Sequence, residues 1–140
     1  MMIMTIQISF ATKATVLGDE VNEWDIYKDK YGKYLGLKDV RMKIIKLRTV
    51  GPDVEIIKVV QPKESPRLAI IHYKAGSAGT SSITHVYRAV IFDLIKQKFI
   101  GQAPLRREYQ DGKTLEAEWR FHDGLLTITD PKEGKLEFKL

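Results

Sequence analysis

The sequence predicts a mainly β, α+β domain: an antiparallel sheet folded into a sandwich or partly closed barrel, with one short helix near residues 23–35. Three observations carry that prediction. The last third of the chain alternates apolar and polar residues in short runs, the middle is rich in Ile and Val between Gly and Pro punctuation, and near the start the aromatic residues fall at helical spacing. At 140 residues the chain fits one domain around one core, and 44% hydrophobic with 29% charged residues excludes a disordered or collagen-like chain.

Taken in order, Ile6, Ile8 and Phe10 alternate with Gln7 and Ser9 as in a strand. The same stretch is apolar enough for a degenerate secretory leader, with small residues at Ala11 and Ala14, but no Lys or Arg precedes it. A cytoplasmic location is therefore favoured over the cell envelope, and no run reaches the ~18 apolar residues of a membrane span. Cysteine is absent, which removes disulfides, thiolate zinc sites and cysteine nucleophiles together.

From Asn22 to Gly36 the residues Trp24, Tyr27, Tyr31, Tyr34 and Leu35 fall on one helical face, with Asn22 as cap and Gly36 as terminator. Val40 to Val50 and Val54 to Val60 read as strands joined by a turn at Gly51-Pro52-Asp53, with a bulge at Ile44-Ile45. Leu68 to Tyr73 is a further apolar run. Ile83 to Leu94 fits a helical stripe by spacing and a strand by its Ile, Val, Thr and Tyr content. The strand is preferred, since branched and aromatic side chains lose rotamer freedom in helices, with a turn at 95–97 and a short strand at 98–100. Leu115, Ala117, Trp119 and Phe121 alternate with Glu116, Glu118, Arg120 and His122. Asp123-Gly124 makes a hairpin turn, and two more alternating runs end at Leu140, which together form a three-stranded meander.

Between the two central runs lies a loop of small residues, Gly76, Ser77, Gly79, Thr80, Ser81 and Ser82, the leading candidate binding loop. It is not a nucleotide cradle: no lysine follows the glycines as a P-loop demands, and the third glycine of a dinucleotide fingerprint is missing. If the flanking strands pair symmetrically about Ala78 and Gly79, His72 faces His85 at roughly 5 Å between Cβ atoms. Facing imidazoles could start a metal site or sense pH, yet a third ligand could come only from His122, so no metal or cofactor is expected. Serine hydrolysis is disfavoured as well. The chain has no Gly-x-Ser-x-Gly elbow, and no carboxylate lies between Glu64 and Asp93.

Charge is concentrated. Lys28, Lys30, Lys33, Lys38, Arg41, Lys43, Lys46 and Arg48 stand against only Asp29 and Asp39 between Tyr27 and Arg48. The residues therefore read as a non-catalytic binding module, inhibitor-like or immunity-like in economy, that meets an unknown protein or other acidic partner through the 76–82 loop and this basic segment. The alternative is single-stranded nucleic acid, with Tyr27, Tyr31 and Tyr34 stacking on bases while the lysines meet phosphates.

Overall fold

The computed structural model describes residues 23–38 and 44–140. The expected N-terminal strand and leader, the Asn22 cap, and the cations Arg41 and Lys43 lie outside the described residues. Eleven strands run in chain order: β1 (Trp24–Asp29), β2 (Gly32–Leu37), β3 (Ile44–Lys46), β4 (Glu55–Val60), β5 (Leu68–Ala78), β6 (Thr84–Asp93), β7 (Lys98–Tyr109), β8 (Thr114–Glu116), β9 (Glu118–His122), β10 (Leu125–Asp130) and β11 (Gly134–Lys139). They form three antiparallel sheets, none closed: β1-β2-β3, β4-β5-β6-β7-β8 and β9-β10-β11. The mainly β expectation holds at this level, while the single sheet of the sequence reading is three sheets.

The short helix is replaced by the β1–β2 hairpin. Trp24, Ile26, Leu35 and Leu37 reach one hydrophobic cluster from two strands, where Trp24 lies opposite Leu37 and Ile26 opposite Leu35. Tyr27, Tyr31 and Tyr34 satisfy a helical spacing by coincidence: Tyr27 sits across the hairpin from Tyr34, and Tyr31 projects from the turn at 68% exposure. Asp29 fixes that turn, its Oδ1 accepting from the N–H of Tyr31 at 2.7 Å and of Gly32 at 3.1 Å. The deciding contacts are long-range. Trp24 packs edge-on against Phe92 at 5.1 Å between ring centroids, and Phe92 packs against Phe99 at 5.0 Å. Each such aromatic pair adds about 1 kcal/mol beyond its buried area.

The strand-turn-strand order of 40–60 is present among the described residues, with strands at 44–46 and 55–60 about the 50–53 turn. Among the described residues β3 pairs with β2 and β4 pairs with β5, so the 47–54 segment crosses between sheets instead of closing a hairpin. The β2–β3 register is regular through Ile44 and Ile45, and the irregularity lies at Ile56–Lys58. Ile83 to Leu94 is a strand, β6, followed by a turn in which Asp93 Oδ1 accepts from the N–H of Ile95 and Lys96 at 2.9 Å each. The strand after that turn continues to Tyr109, well past the expected Ile100.

The meander stands as expected, with Asp123 and Gly124 both at positive φ in its first hairpin turn. Its first strand is shorter than the alternation suggested. Residues 114–116 pair with β7, and at Ala117, whose N–H donates to Leu105 O at 2.8 Å, the chain leaves the central sheet for β9.

Alternation along β5 and β6 sends side chains to two clusters. Ala69, Ile71, Tyr73, Val90 and Phe92 join Trp24, Leu35 and Leu47, whereas Leu68 and Ile91 join Ala103, Leu126 and Ile128 of the meander side. Beside these clusters lies a charged one. Asp130, whose side chain is fully buried, holds Arg107 through two bonds of 3.2 and 3.1 Å, and Glu133 meets Arg88 at 2.6 Å, Arg107 at 3.2 Å and Arg48 at 3.4 Å.

Candidate functional site: the loop end

The predicted binding loop is shorter and more firmly held than its composition implied. Gly76, Ser77 and Ala78 belong to β5, and only 79–83 connects the strands. The strands close about Ser81 and not about Ala78 and Gly79, so Ser77 lies opposite His85 and Ala78 opposite Thr84, and a bulge between Lys74 and Gly76 changes the offset by one residue farther along the pair. His72 therefore does not face His85. It lies opposite Ala89 on one side and Lys58 on the other, which corrects the paired-histidine expectation. Burial, and then the charges of Lys58 and Arg106, lower His72 to about 4.

The 50–53 turn docks on this bulge. Val50 N–H donates to Ala75 O at 2.8 Å, and a Cβ on Gly76, which has φ +122, would sit 2.5 Å from Gly51 N. Only glycine permits that approach. Asp53 then clasps the strand: its Oδ1 accepts from Ser77 N–H at 2.8 Å, its Oδ2 accepts from Ser77 Oγ at 2.6 Å, and Lys74 Nζ stands 3.0 Å away. These partners, the Ser77 hydroxyl first and Lys74 second, hold the Asp53 carboxyl far below the usual carboxylate range.

Ser77 Oγ also lies 2.8 Å from His85 Nδ1, so a serine, a histidine and an aspartate meet here. The trio is not legible in the sequence, because the carboxylate arrives from the 51–53 turn, 24 residues before Ser77. The proton places in this trio differ from those of a catalytic relay. A serine hydroxyl has one proton, and with Asp53 ionised the 2.6 Å contact places it toward Oδ2, an arrangement in which Oγ is left to accept from the imidazole. A nucleophile's base has to accept that proton instead. The trio ties the 50–53 turn and β6 to the base of the loop.

The same end collects part of the basic segment. Lys28 lies opposite Lys33 in the hairpin, and Lys33 Nζ donates to Pro52 O at 2.6 Å, tying the β1–β2 turn to the 50–53 turn. Lys46 lies opposite Tyr34, and its chain runs over Gly32. On the other side of the loop, Ile83 N–H donates to Gln110 Oε1 at 2.7 Å, which adds the 110–113 turn. Three turns and one loop thus share one end of the molecule. Two cations are not gathered there: Lys38 donates its N–H to Glu23 O at the far end of the hairpin, and Arg48 pairs with Glu133.

At the opposite end a pocket of about 280 Å³ is lined by the 64–67 segment, residues 121–125 and Leu140. His122 lines it, whereas His72, His85 and Ser81 do not. Among the described residues no group of three His, Asp or Glu side chains is placed to hold a metal ion, and no helix is long and apolar enough to cross a membrane. No protein family, curated protein or solved structure matches this chain.

Proposed function

We propose that the chain is a non-catalytic protein-binding module, built as a β-sandwich, whose contact surface is the loop end: residues 79–83 with the turns at 29–32, 50–53 and 110–113. The observation that carries this reading is the pair of links through the 50–53 turn. Lys33 to Pro52 on one side and Ser77 to Asp53 on the other join the basic hairpin and the small-residue loop into one surface. A preformed surface of this kind avoids much of the ordering cost of association, and small residues at its tip let a partner's backbone approach closely.

Thr80→Trp and Ser81→Trp are the direct test, because both residues are exposed and neither takes part in the clasp. Capture of a partner on the immobilised protein is lost in both variants while the melting temperature is unchanged. Unchanged capture refutes the loop's role. A second reading, single-stranded nucleic acid, draws support from Tyr27 and Tyr34 lying opposite each other with Lys46 beside Tyr34. It ranks lower since Asp25 and Asp29 flank Tyr27 at alternate positions of the strand and leave no cation on that strand beside its ring to meet a phosphate. Binding of oligothymidylate that weakens steeply with salt and is lost on Lys46→Glu is its expected sign.

A further inference from the structure

The chemistry of the partner can be read from how the loop end uses its charges. Every aspartate there is engaged within the chain. Asp29 accepts from two turn N–H groups, Asp53 is taken by Ser77 and Lys74, and Asp111 Oδ1 accepts from Lys113 N–H at 2.9 Å. The lysines are not matched in this way. Lys28, Lys30, Lys33 and Lys113 make no ion pair among the described residues, and Lys28, Lys30 and Lys113 are exposed. With Asp53 and Lys74 paired, the four cations Lys28, Lys30, Lys33 and Lys113 stand against the carboxylates of Asp29 and Asp111 and of Glu55, which lies opposite Lys74.

Tyr31 is the second observation. It is the large side chain most out of place at this end, 68% exposed at the tip of the hairpin, with Lys30 Nζ 5.1 Å from its ring centroid. An exposed tyrosine beside unpaired cations has the composition of an interface anchor. A strand of nucleic acid would need successive aromatic platforms, and only one tyrosine stands at the tip.

We infer that the loop end docks on an acidic protein surface, with Tyr31 as its apolar anchor and Lys28, Lys30 and Lys113 as the cations that meet partner carboxylates. This rests on the binding-module reading and adds the partner's chemistry to it. Buried contacts to Tyr31 govern how long the complex lasts, while the lysines speed encounter and make it salt-dependent.

The test is an amide NMR titration of the full chain with three probes: a short Glu/Leu peptide, a Lys/Leu peptide of equal length, and oligothymidylate. The Glu/Leu peptide shifts amides at 28–33, 79–83 and 110–113. Those shifts shrink with added salt, vanish in the Lys28→Glu, Lys30→Glu double variant, and need a severalfold higher concentration in Tyr31→Ser, with melting temperature retained in each. No shift at these positions with the Glu/Leu peptide overturns the inference, as does an equal response to the Lys/Leu peptide or tighter binding of oligothymidylate. The Trp variants at Thr80 and Ser81 block a partner of any chemistry, so failure here and failure of the binding-module reading are told apart.

Discussion

Asp53 and Asp130 perform the same local task in opposite surroundings. Each accepts backbone N–H groups next to a turn and meets a cation: Ser77 N–H and Lys74 for Asp53, and the N–H groups of Lys132 and Glu133 with Arg107 for Asp130. The Asp53 side chain is 44% exposed, and that of Asp130 is 0% exposed. Burial by itself raises the Asp130 carboxyl, but the Arg107 fork and the two N–H groups outweigh it, and the net shift is downward. Asp53 is lowered first by the Ser77 hydroxyl and then by Lys74, each outweighing the opposing effect of desolvation. The difference separates what holds the fold from what shapes the loop end. Breaking a buried ion pair leaves a charge uncompensated, whereas breaking an exposed one lets water take the vacated place.

The largest expected effect follows from that contrast. Asp130→Asn leaves Arg107 and two turn N–H groups without their carboxylate and costs about 3 kcal/mol of global stability, read by urea unfolding. Gly76→Ala comes next, at about 2 kcal/mol, because a Cβ at φ +122 meets Gly51 backbone atoms that cannot yield. If the two substitutions cost the same as ordinary surface changes, neither the buried pair nor the backbone docking matters to stability.

Acid sharpens the comparison. Both aspartates have folded pKa values below the ordinary 3.8, so each contributes stability that is complete above that value and lost as pH falls through the folded one. His72 acts at higher pH. Its folded value, about 4 against an ordinary 6.5, favours the neutral ring, so its contribution is complete above 6.5 and declines as pH falls toward 4. His72→Gln flattens the stability profile across that window, and an unchanged profile contradicts burial as the cause. The smallest effect on stability is Asp53→Asn. Its melting temperature stays close to that of the parent, while amide exchange in 76–83 accelerates severalfold.

Much of the sheet framework was legible because period-two alternation is a local signal. Leu126, Ile128, Leu136 and Phe138 alternate cleanly, and Asp123-Gly124 forces the turn between β9 and β10. The β1–β2 hairpin is hidden because Trp24, Tyr27, Tyr31 and Tyr34 fall at helical spacing by coincidence, and the contact that decides, Trp24 on Phe92, joins residues 68 apart in the chain. At the site, the strands close about Ser81 and not about Ala78 and Gly79, which moves the partner of His85 from His72 to Ser77; the bulge between Lys74 and Gly76 changes the offset by only one residue. The Asp53 clasp was hidden for a similar reason. Gly51-Pro52-Asp53 reads as an ordinary turn, and nothing local says that its glycine must lie against Gly76.

The central claim is that the end fixed by the exposed clasp, not the buried pair, carries the contact surface. Placing p-benzoylphenylalanine at Ser81 and, separately, at Lys135 of the meander, then irradiating in lysate of the native host, tests it most directly. A discrete cross-linked protein from Ser81 and none from Lys135, with the Ser81 product lost on Asp53→Asn, is the predicted result. Equal products from both positions, or a product from Lys135 alone, would contradict it.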